Sequence, residues 1–260
     1  MRDHLEIDAP QRLRHAVKCF WHERRDAAEG AAGFDVLPDG YPEIIFYAGG
    51  RCSIVRAGGR HALPSPFVMG LLGGPVRMHA DAALEIVGIR CHPWSIYALL
   101  DLPSGPDEVL PLAGALASLQ SAVVACLHAG RPRQAFEVLA SHLLDTCPAI
   151  DGMLSQAGDA IRATGGALAV TEVATAAHAT VRTLERRFKR ASGHTVKDVA
   201  GLVRFEQARN RLWLQPDAHL ADLAQECGYT DQSHLSREFK RYSGVTPAVF
   251  AQGRRRAGKA

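Results

Sequence analysis

The stretch VTEVATAAHATVRTLERRFKRASG, residues 170–193, is similar to LADLAQECGYTDQSHLSREFKRYSG, residues 220–244. Together the two stretches determine the fold of the chain. Five residues recur 51 positions later: Leu184, Phe188, Lys189, Arg190 and Gly193 return as Leu235, Phe239, Lys240, Arg241 and Gly244. Ala174 returns as Ala224 after only 50 positions, so the second copy has one extra residue in its turn. Each copy predicts a helix, a short turn and a second, basic helix.

Each second helix is predicted to be amphipathic. We expect first helices over about 171–177 and 220–227, and second helices that begin after Thr180 and Asp231, two good N-cap residues. Helical spacing gives buried stripes of Leu184, Phe188 and Ala191, and of Leu235, Phe239 and Tyr242. The outer faces carry Arg182, Thr183, Arg186 and Arg190, and Ser233, His234, Arg237 and Arg241. Such a helix suits the major groove of DNA, where arginine donates two hydrogen bonds to guanine.

The distribution of charge favours a polyanionic partner. One basic helix is usually only a solvated face, but two such faces at one spacing favour nucleic acid. From residue 151 onward, 17 Lys+Arg against 11 Asp+Glu give a net charge of +6, whereas residues 1–150 hold 13 against 16, a net charge of −3. The positive charge is therefore concentrated in the duplicated part.

A long helix is predicted between the two copies, over Val196–Leu214. Its inner side is expected to hold Val199, Val203, Arg204, Ala208 and Leu212. These 19 residues span about 28 Å at roughly 1.5 Å each. That length can hold two reading helices about one DNA turn, roughly 34 Å, apart, so that the DNA site need not be palindromic.

The most specific stretch is GYTDQSHLSREFKRYSGVTPAVF, residues 228–250, preceded by RFEQARNRL, residues 204–212. Here the chain resembles the AraC/XylS family of bacterial transcription regulators, over about residues 151–253. The resemblance implies seven helices, with two helix-turn-helix units joined by a long helix. It also implies base contacts by Arg182, Thr183, Glu185 and Arg186, and by Ser233, His234, Ser236 and Arg237. Arg186 and Arg237 are the first choice for base edges, and Thr180, Lys189, Arg190, Lys240 and Arg241 are expected to contact phosphates.

The first copy departs from the family pattern at two places. Its turn carries Ala177, His178 and Ala179 where the family often has a glycine, and Val196 stands where the second copy has Pro247. Glu185 either accepts from a cytosine amino group or pairs with Arg182, and the ion pair is the favoured interpretation.

The whole chain is predicted to be an α+β protein of two domains, at 1–148 and 149–260. The first is expected to be a sensor or dimerisation domain, with a β-rich core over residues 17–92 followed by helices, and the second an all-α AraC-type domain. Strands are predicted at 36–37 and 44–47 around the turn 38–40, and at 67–72 and 84–91. One helix is expected over 116–127 and another over 136–143. VLPDGYPEIIF (36–46), FVMGLLGGPVRM (67–78) and VGIRCHP (87–93) resemble a sensor-type domain of some family members, which implies no particular ligand.

Catalytic and metal sites are weakly indicated. Cys91 beside His92 suggests a nucleophile or a metal ligand, but strand neighbours point to opposite faces, so a buried structural cysteine is favoured. His61 and His79 have no ligand spacing, and a turn aspartate and an edge glutamate account for Asp39 and Glu43. We expect no enzyme activity, no cofactor and no metal.

The expected partners are double-stranded DNA, a small-molecule effector, a second copy of the chain and, for an activator, RNA polymerase. Phe46, Tyr47, Met69, Met78 and Trp94 are effector-pocket candidates, although such residues more often form simple core. A ligand-independent DNA-binding dimer and an enzyme fused to a DNA-binding domain remain as alternatives. Six scattered cysteines without a CxxC pair, a charged N-terminus and the lack of a long apolar run favour a cytoplasmic protein without membrane contact.

Overall fold

The computed structural model describes residues 4–56, 58–102, 105 and 109–257. The chain separates into two compact units. One takes the residues up to 36, 41–71 and 76–150, and the other takes 37–40, 72–75 and the residues from 151 onward.

The first unit is built on two antiparallel sheets. Its strands are β1 (His4–Asp8), β2 (Val17–Arg25), β3 (Phe34–Val36), β4 (Glu43–Gly49), β5 (Cys52–Arg56), β6 (Gly59–Ala62), β7 (Phe67–Met69), β8 (Val76–Ala80), β9 (Leu84–Cys91) and β10 (Val109–Pro111). One sheet has the order β1-β2-β9-β4-β7-β10 and the other the order β3-β8-β5-β6. The predicted strand over 84–91 is confirmed, but that over 67–72 is too long, because both neighbours of β7 pair only with Phe67–Met69.

The helices of the first unit are α1 (Ala27–Ala32), α2 (Ile96–Leu100), α3 (Gly114–Ala117), α4 (Gln120–His128) and α5 (Pro132–Thr146). Helices α4 and α5 pack on the larger sheet, whereas α1 contacts β8 of the smaller one. Alternate sheet residues such as Phe20, Phe46 and Ile89 are buried in the same cluster as Leu127 and Phe136 of α4 and α5.

The single helix predicted over 116–127 is wrong, because it is divided between α3 and α4. The division falls at Ser118, whose hydroxyl donates to the carbonyl of Ala115 at 2.6 Å. Serine side chains that bond to nearby carbonyls in this way compete with regular helix formation.

The second unit is all-α. Its helices are α6 (Gly152–Ala163), α7 (Val170–Ala176), α8 (Val181–Ser192), α9 (Val196–Leu214), α10 (Leu220–Glu226), α11 (Gln232–Ser243) and α12 (Pro247–Ala257). The predicted long helix over Val196–Leu214 is confirmed at both ends. The predicted first helices of the two copies are confirmed to within one residue as α7 and α10. The fold class predicted from the sequence is therefore confirmed.

Helix α9 forms the centre of this unit. Its inner residues Val199, Val203, Ala208 and Leu212 are buried, as predicted. Phe205 is also fully buried, and its ring lies 5.1 Å from Phe239 and 5.3 Å from Tyr242 of α11 (centroid distances). Aromatic pairs at these distances stabilise a fold by more than the apolar area that they bury.

Among the described residues, no helix has both the length and the apolar character needed to cross a membrane.

Gly166→Ala is expected to destabilise the second unit. Gly166 has φ +77, and a Cβ atom there would clash with the carbonyl oxygen of Ala200 on α9. The left-handed backbone alone costs an alanine about 1–2 kcal/mol, to which the clash adds. Urea unfolding of the two proteins measures the difference.

The matched control is Gly253→Ala in α12, where an added Cβ meets nothing within 4 Å. A helical glycine with free space around it should gain about 0.5–1 kcal/mol as alanine. Equal effects of the two substitutions would contradict the assigned role of Gly166.

Candidate nucleic-acid interface

The second helix of each copy begins and ends in the same way. At the N-terminus, Thr180 accepts from the Thr183 N–H at 3.2 Å, and Asp231 accepts from the His234 N–H at 2.7 Å. Both α8 and α11 have 12 residues, and each is followed by a glycine in the left-handed conformation. This glycine is Gly193 after α8, with φ 75, and Gly244 after α11, with φ 78. A glycine tolerates this conformation without a Cβ penalty. The two helices thus present equivalent positions to solvent.

Both helices are held by the predicted apolar stripes, except that Ala191 of the first stripe is only half-buried. Leu184 and Phe188 of α8, and Leu235 and Phe239 of α11, are fully buried. A buried serine closes each helix, which the sequence analysis missed. Ser192 Oγ donates to the Phe188 carbonyl at 2.8 Å, and Ser243 Oγ to the Phe239 carbonyl at 2.7 Å. Their 51-residue spacing could have identified them.

The structure places the predicted DNA-contacting residues on the outer faces of α8 and α11. Exposed members are Arg182, Arg186, Lys189, Arg190, Ser233, Arg237, Lys240 and Arg241, and half-buried members are Thr183, Glu185, His234 and Ser236. Within the part of the chain that the structure describes, none of the lysines and arginines in this set forms an ion pair. Their charges therefore remain available to an anionic partner.

Thr180 is exposed, but its hydroxyl already has local partners. Besides capping α8, it donates to Thr183 Oγ1 at 3.0 Å. A phosphate contact by this hydroxyl would compete with that bond.

Glu185 is not paired with Arg182, so the favoured ion-pair interpretation is wrong for the described residues. Glu185 Oε2 instead accepts from the N–H of Val196, the first residue of α9, at 3.4 Å. The first N–H groups of a helix have no partner within the helix. In the second copy the equivalents of Glu185 and Val196 are Ser236 and Pro247, and proline has no N–H to satisfy. The differences at these two positions, Glu185 for Ser236 and Val196 for Pro247, are therefore one paired exchange.

The turn of the first copy contains a backbone conformation that a glycine would favour. His178 has φ 51, and the equivalent residue of the second copy, Gly228, has φ 74. The absence of the expected glycine therefore leaves the turn geometry unchanged and places a histidine in the left-handed region, at a cost of about 1–2 kcal/mol.

The first unit holds Cys91 in a place unsuited to catalysis. Complete burial raises the pKa of the Cys91 thiol well above its ordinary value, with a further contribution from Glu43. A nucleophilic thiolate requires the opposite shift. His92 bonds through Nε2 to the Arg14 carbonyl at 3.0 Å and stacks on Trp94 at 4.9 Å. The surroundings of both residues therefore fit a structural role, which the sequence analysis favours for Cys91.

The other predicted polar candidates do not assemble into a metal site. No group of three or more His, Cys, Asp or Glu in the described residues could hold a metal ion. Glu43 Oε1 accepts from Trp21 Nε1 at 3.0 Å and from Arg90 Nε at 2.9 Å. His61 is exposed on β6, and His79 Nδ1 lies 3.4 Å from the Ala31 carbonyl.

The effector candidates lie within packed structure. Phe46, Met69, Met78 and Trp94 are buried. Tyr47 is half-buried and donates its hydroxyl to the Leu63 carbonyl at 2.7 Å. A cavity of about 360 Å³ lies elsewhere in this unit. It is lined by Arg24, Arg25, Asp26, Ala48, Gly49, Ala83, Leu84, Glu85 and His128.

Comparison with known proteins finds two family matches. A family described as "Helix-turn-helix domain" matches residues 173–253, which include the second copy and all but the first three residues of the first. A domain of unknown function, DUF6597, matches residues 5–106.

A curated relative matches part of the chain. The HTH-type transcriptional activator RhaS of Escherichia coli K12 is 34% identical over 74 residues, which are 28% of this chain and 26% of RhaS. The match thus spans about a quarter of the length of that relative.

Two solved structures illustrate the structural similarity. ToxT from Vibrio cholerae covers 97% of each chain at 11% identity and a TM-score of 0.47. An AraC-type regulator from Chromobacterium violaceum covers 39% of this chain and 91% of its own at 23% identity and a TM-score of 0.36.

The C-terminal unit is a helix-turn-helix DNA-binding domain of the AraC type. This match agrees with the resemblance of the sequence motif to the AraC/XylS family.

His178→Gly is expected to stabilise the protein by about 0.5–1 kcal/mol, because relief of the left-handed strain exceeds the extra entropy of glycine in the unfolded chain. His178→Ala keeps the strained conformation and serves as the control, with no comparable gain. Chemical unfolding of the three proteins measures their free energies of unfolding. Equal stabilities of the glycine and alanine variants would contradict the assignment of strain to His178.

Thiol labelling should be slow at all deeply buried cysteines. Burial raises the pKa of Cys19 to about 12 and that of Cys52 to about 11, besides its effect on Cys91, so these thiols stay protonated at neutral pH. Half-buried Cys147 should react first with Ellman's reagent. Cys147→Ser should abolish the fast phase, and persistence of that phase would contradict the assignment.

Proposed function

We propose that the protein is a sequence-specific DNA-binding regulator of transcription with two reading helices in each chain. The observation that carries the proposal is the equivalence of α8 and α11. Each has a capped start, a fully buried Leu–Phe stripe and an outward basic face whose charges form no ion pairs within the described residues. Helix-turn-helix proteins place the start of such a helix against base edges in the major groove.

The position of each residue on these faces suits it to contact either base edges or phosphates. Arg186 and Arg237 project from the first half of each helix, and their planar guanidinium groups can bond to guanine O6 and N7 together. Lys189, Arg190, Lys240 and Arg241 lie near the helix ends and suit phosphates, which fix the register without specifying sequence. Arg182, Thr183, Ser233, His234 and Ser236 complete the proposed base-reading set, in which Glu185 contributes mainly by supporting α9.

Control of transcription is assigned to the first unit. The relative RhaS is an activator, which makes RNA polymerase a proposed partner here. A small-molecule effector or a homodimer would act through residues 1–148 by changing the population of DNA-binding conformations. The cavity beside Arg24 and His128 has a volume within the range of small-molecule sites.

These partners can be separated experimentally. A thermal-shift screen reports stabilising small molecules, and sedimentation at several protein concentrations reports dimerisation. A ligand-independent dimer would show concentration dependence with no stabilising compound.

No catalytic role is proposed. The burial of Cys91 and the engagement of Glu43 by Trp21 and Arg90 argue against the fused-enzyme alternative.

Selection from random duplex DNA tests the proposed function directly. The purified full chain should enrich two short sequence blocks about one helical turn apart. One block would show that only one copy reads bases. No enrichment in the presence and absence of candidate effectors, with salt-sensitive binding only, would overturn sequence-specific recognition.

Arg237→Ala and Lys240→Ala are expected to differ in kind. Loss of Arg237 should cost roughly 1–3 kcal/mol on the selected site and relax preference at one base pair. Loss of Lys240 should weaken selected and random DNA alike and reduce the salt slope by about one unit. Fluorescence anisotropy on both DNAs at several salt concentrations measures the two effects. Identical behaviour of the two variants would contradict the proposed orientation of α11.

A further inference from the structure

A series of polar contacts connects the interior of the second unit to the outer face of α11. Glu238 lies one helical turn after His234, and its Oε1 is 3.9 Å from His234 Nε2. Glu238 Oε2 is 3.5 Å from Arg204 Nη2 on α9. Only 19% of the Glu238 side chain is exposed, so this carboxylate is largely shielded from solvent. A charge in such a place interacts more strongly with its neighbours than one in bulk water.

Arg204 anchors this chain of contacts. Its Nη1 donates to the Gly166 carbonyl at 2.7 Å, and its guanidinium lies 5.6 Å from the centroid of the Tyr229 ring. The side chain is 12% exposed. Because Arg204 is fixed from the side of α9 and the loop before α7, the position of the Glu238 carboxylate is fixed as well.

His234 is held on its other sides by the turn. Its Nδ1 faces the Thr230 N–H at 3.5 Å, and its ring stands edge-on to Tyr229 at 5.3 Å. With Nδ1 facing a donor, the proton belongs on Nε2, which faces Glu238. About a third of the His234 side chain is exposed, at the start of the helix where base contacts are expected.

The first copy has a different arrangement at the same positions. Thr183 replaces the histidine, and Arg187 replaces Glu238. Arg187 is 52% exposed and pairs with Asp151 at 3.0 Å, at the start of α6. This series of polar contacts is therefore a property of the second copy.

We infer that Glu238 is a positioning residue that, anchored by Arg204, orients the His234 imidazole on the DNA-reading face and so sets base preference at one position of the second block. The inference rests on the proposed function and extends it to a residue that does not itself face DNA. With its two ring nitrogens turned towards Thr230 and Glu238, the imidazole presents its carbon atoms to DNA, which suits contact with the methyl group of thymine.

Glu238→Gln tests this role, because the amide keeps the shape of the side chain and removes its charge. Discrimination at one base pair of the second block should fall roughly 5–10-fold, with the first block unchanged. The readout is selection from random duplexes, followed by binding to oligonucleotides that differ at that pair. In a His234→Ala background the same substitution should have no further effect, since nothing is left to orient.

Arg187→Gln is the matched control, because it alters the equivalent position of the first copy. It should leave discrimination at that base pair unchanged. If Glu238→Gln fails to fold, as judged by thermal unfolding, Glu238→Asp keeps the charge, withdraws the carboxylate from His234 and should give the same loss.

An unchanged base profile of the folded Glu238 variant would overturn the inference while leaving the proposed function intact. A uniform loss over both blocks, or an effect that persists without His234, would show a general structural role and overturn it too. A wild-type protein with no base preference would instead overturn the proposed function.

Discussion

The burial of two Leu–Phe stripes is the constraint on which the DNA-binding unit depends. Leu184 and Phe188 hold α8, and Leu235 and Phe239 hold α11, all of them excluded from solvent. Each stripe fixes the rotation of its helix about its own axis, because the apolar side can face only inward. The direction in which the arginines project is therefore a consequence of core packing, and a single helix serves as the support for both readers.

Much of this unit could be predicted because its determinants are local or repeated. The caps Thr180 and Asp231, the terminal glycines and the ends of α9 are visible in the sequence as residues with strong conformational preferences. The partner of Glu185 could not be predicted in the same way. Its choice of the Val196 N–H over Arg182 depends on how the end of one helix approaches the start of the next, which helical periodicity does not contain.

The first unit was less predictable, for a related reason. The mostly apolar sequence identifies β9 over its full length, because this strand lies between β2 and β4 and is buried along most of both faces. The end of β7 depends on where its two partners stop pairing, and the break between α3 and α4 depends on one serine hydroxyl. Neither is a property of the apolar pattern. The effector candidates rest on residue type alone, and residue type does not separate the walls of a pocket from the core.

The exchange of Glu185 and Val196 for Ser236 and Pro247 bears on how the two readers can diverge during evolution. In the first copy, a residue on the reading helix also supports the start of α9, so its replacement would disturb the common scaffold as well as the DNA surface. In the second copy, Pro247 has no backbone N–H, so Ser236 does not need to accept a hydrogen bond from it. The second reader therefore has one more position at which new sequence preferences can be acquired without a cost in folding.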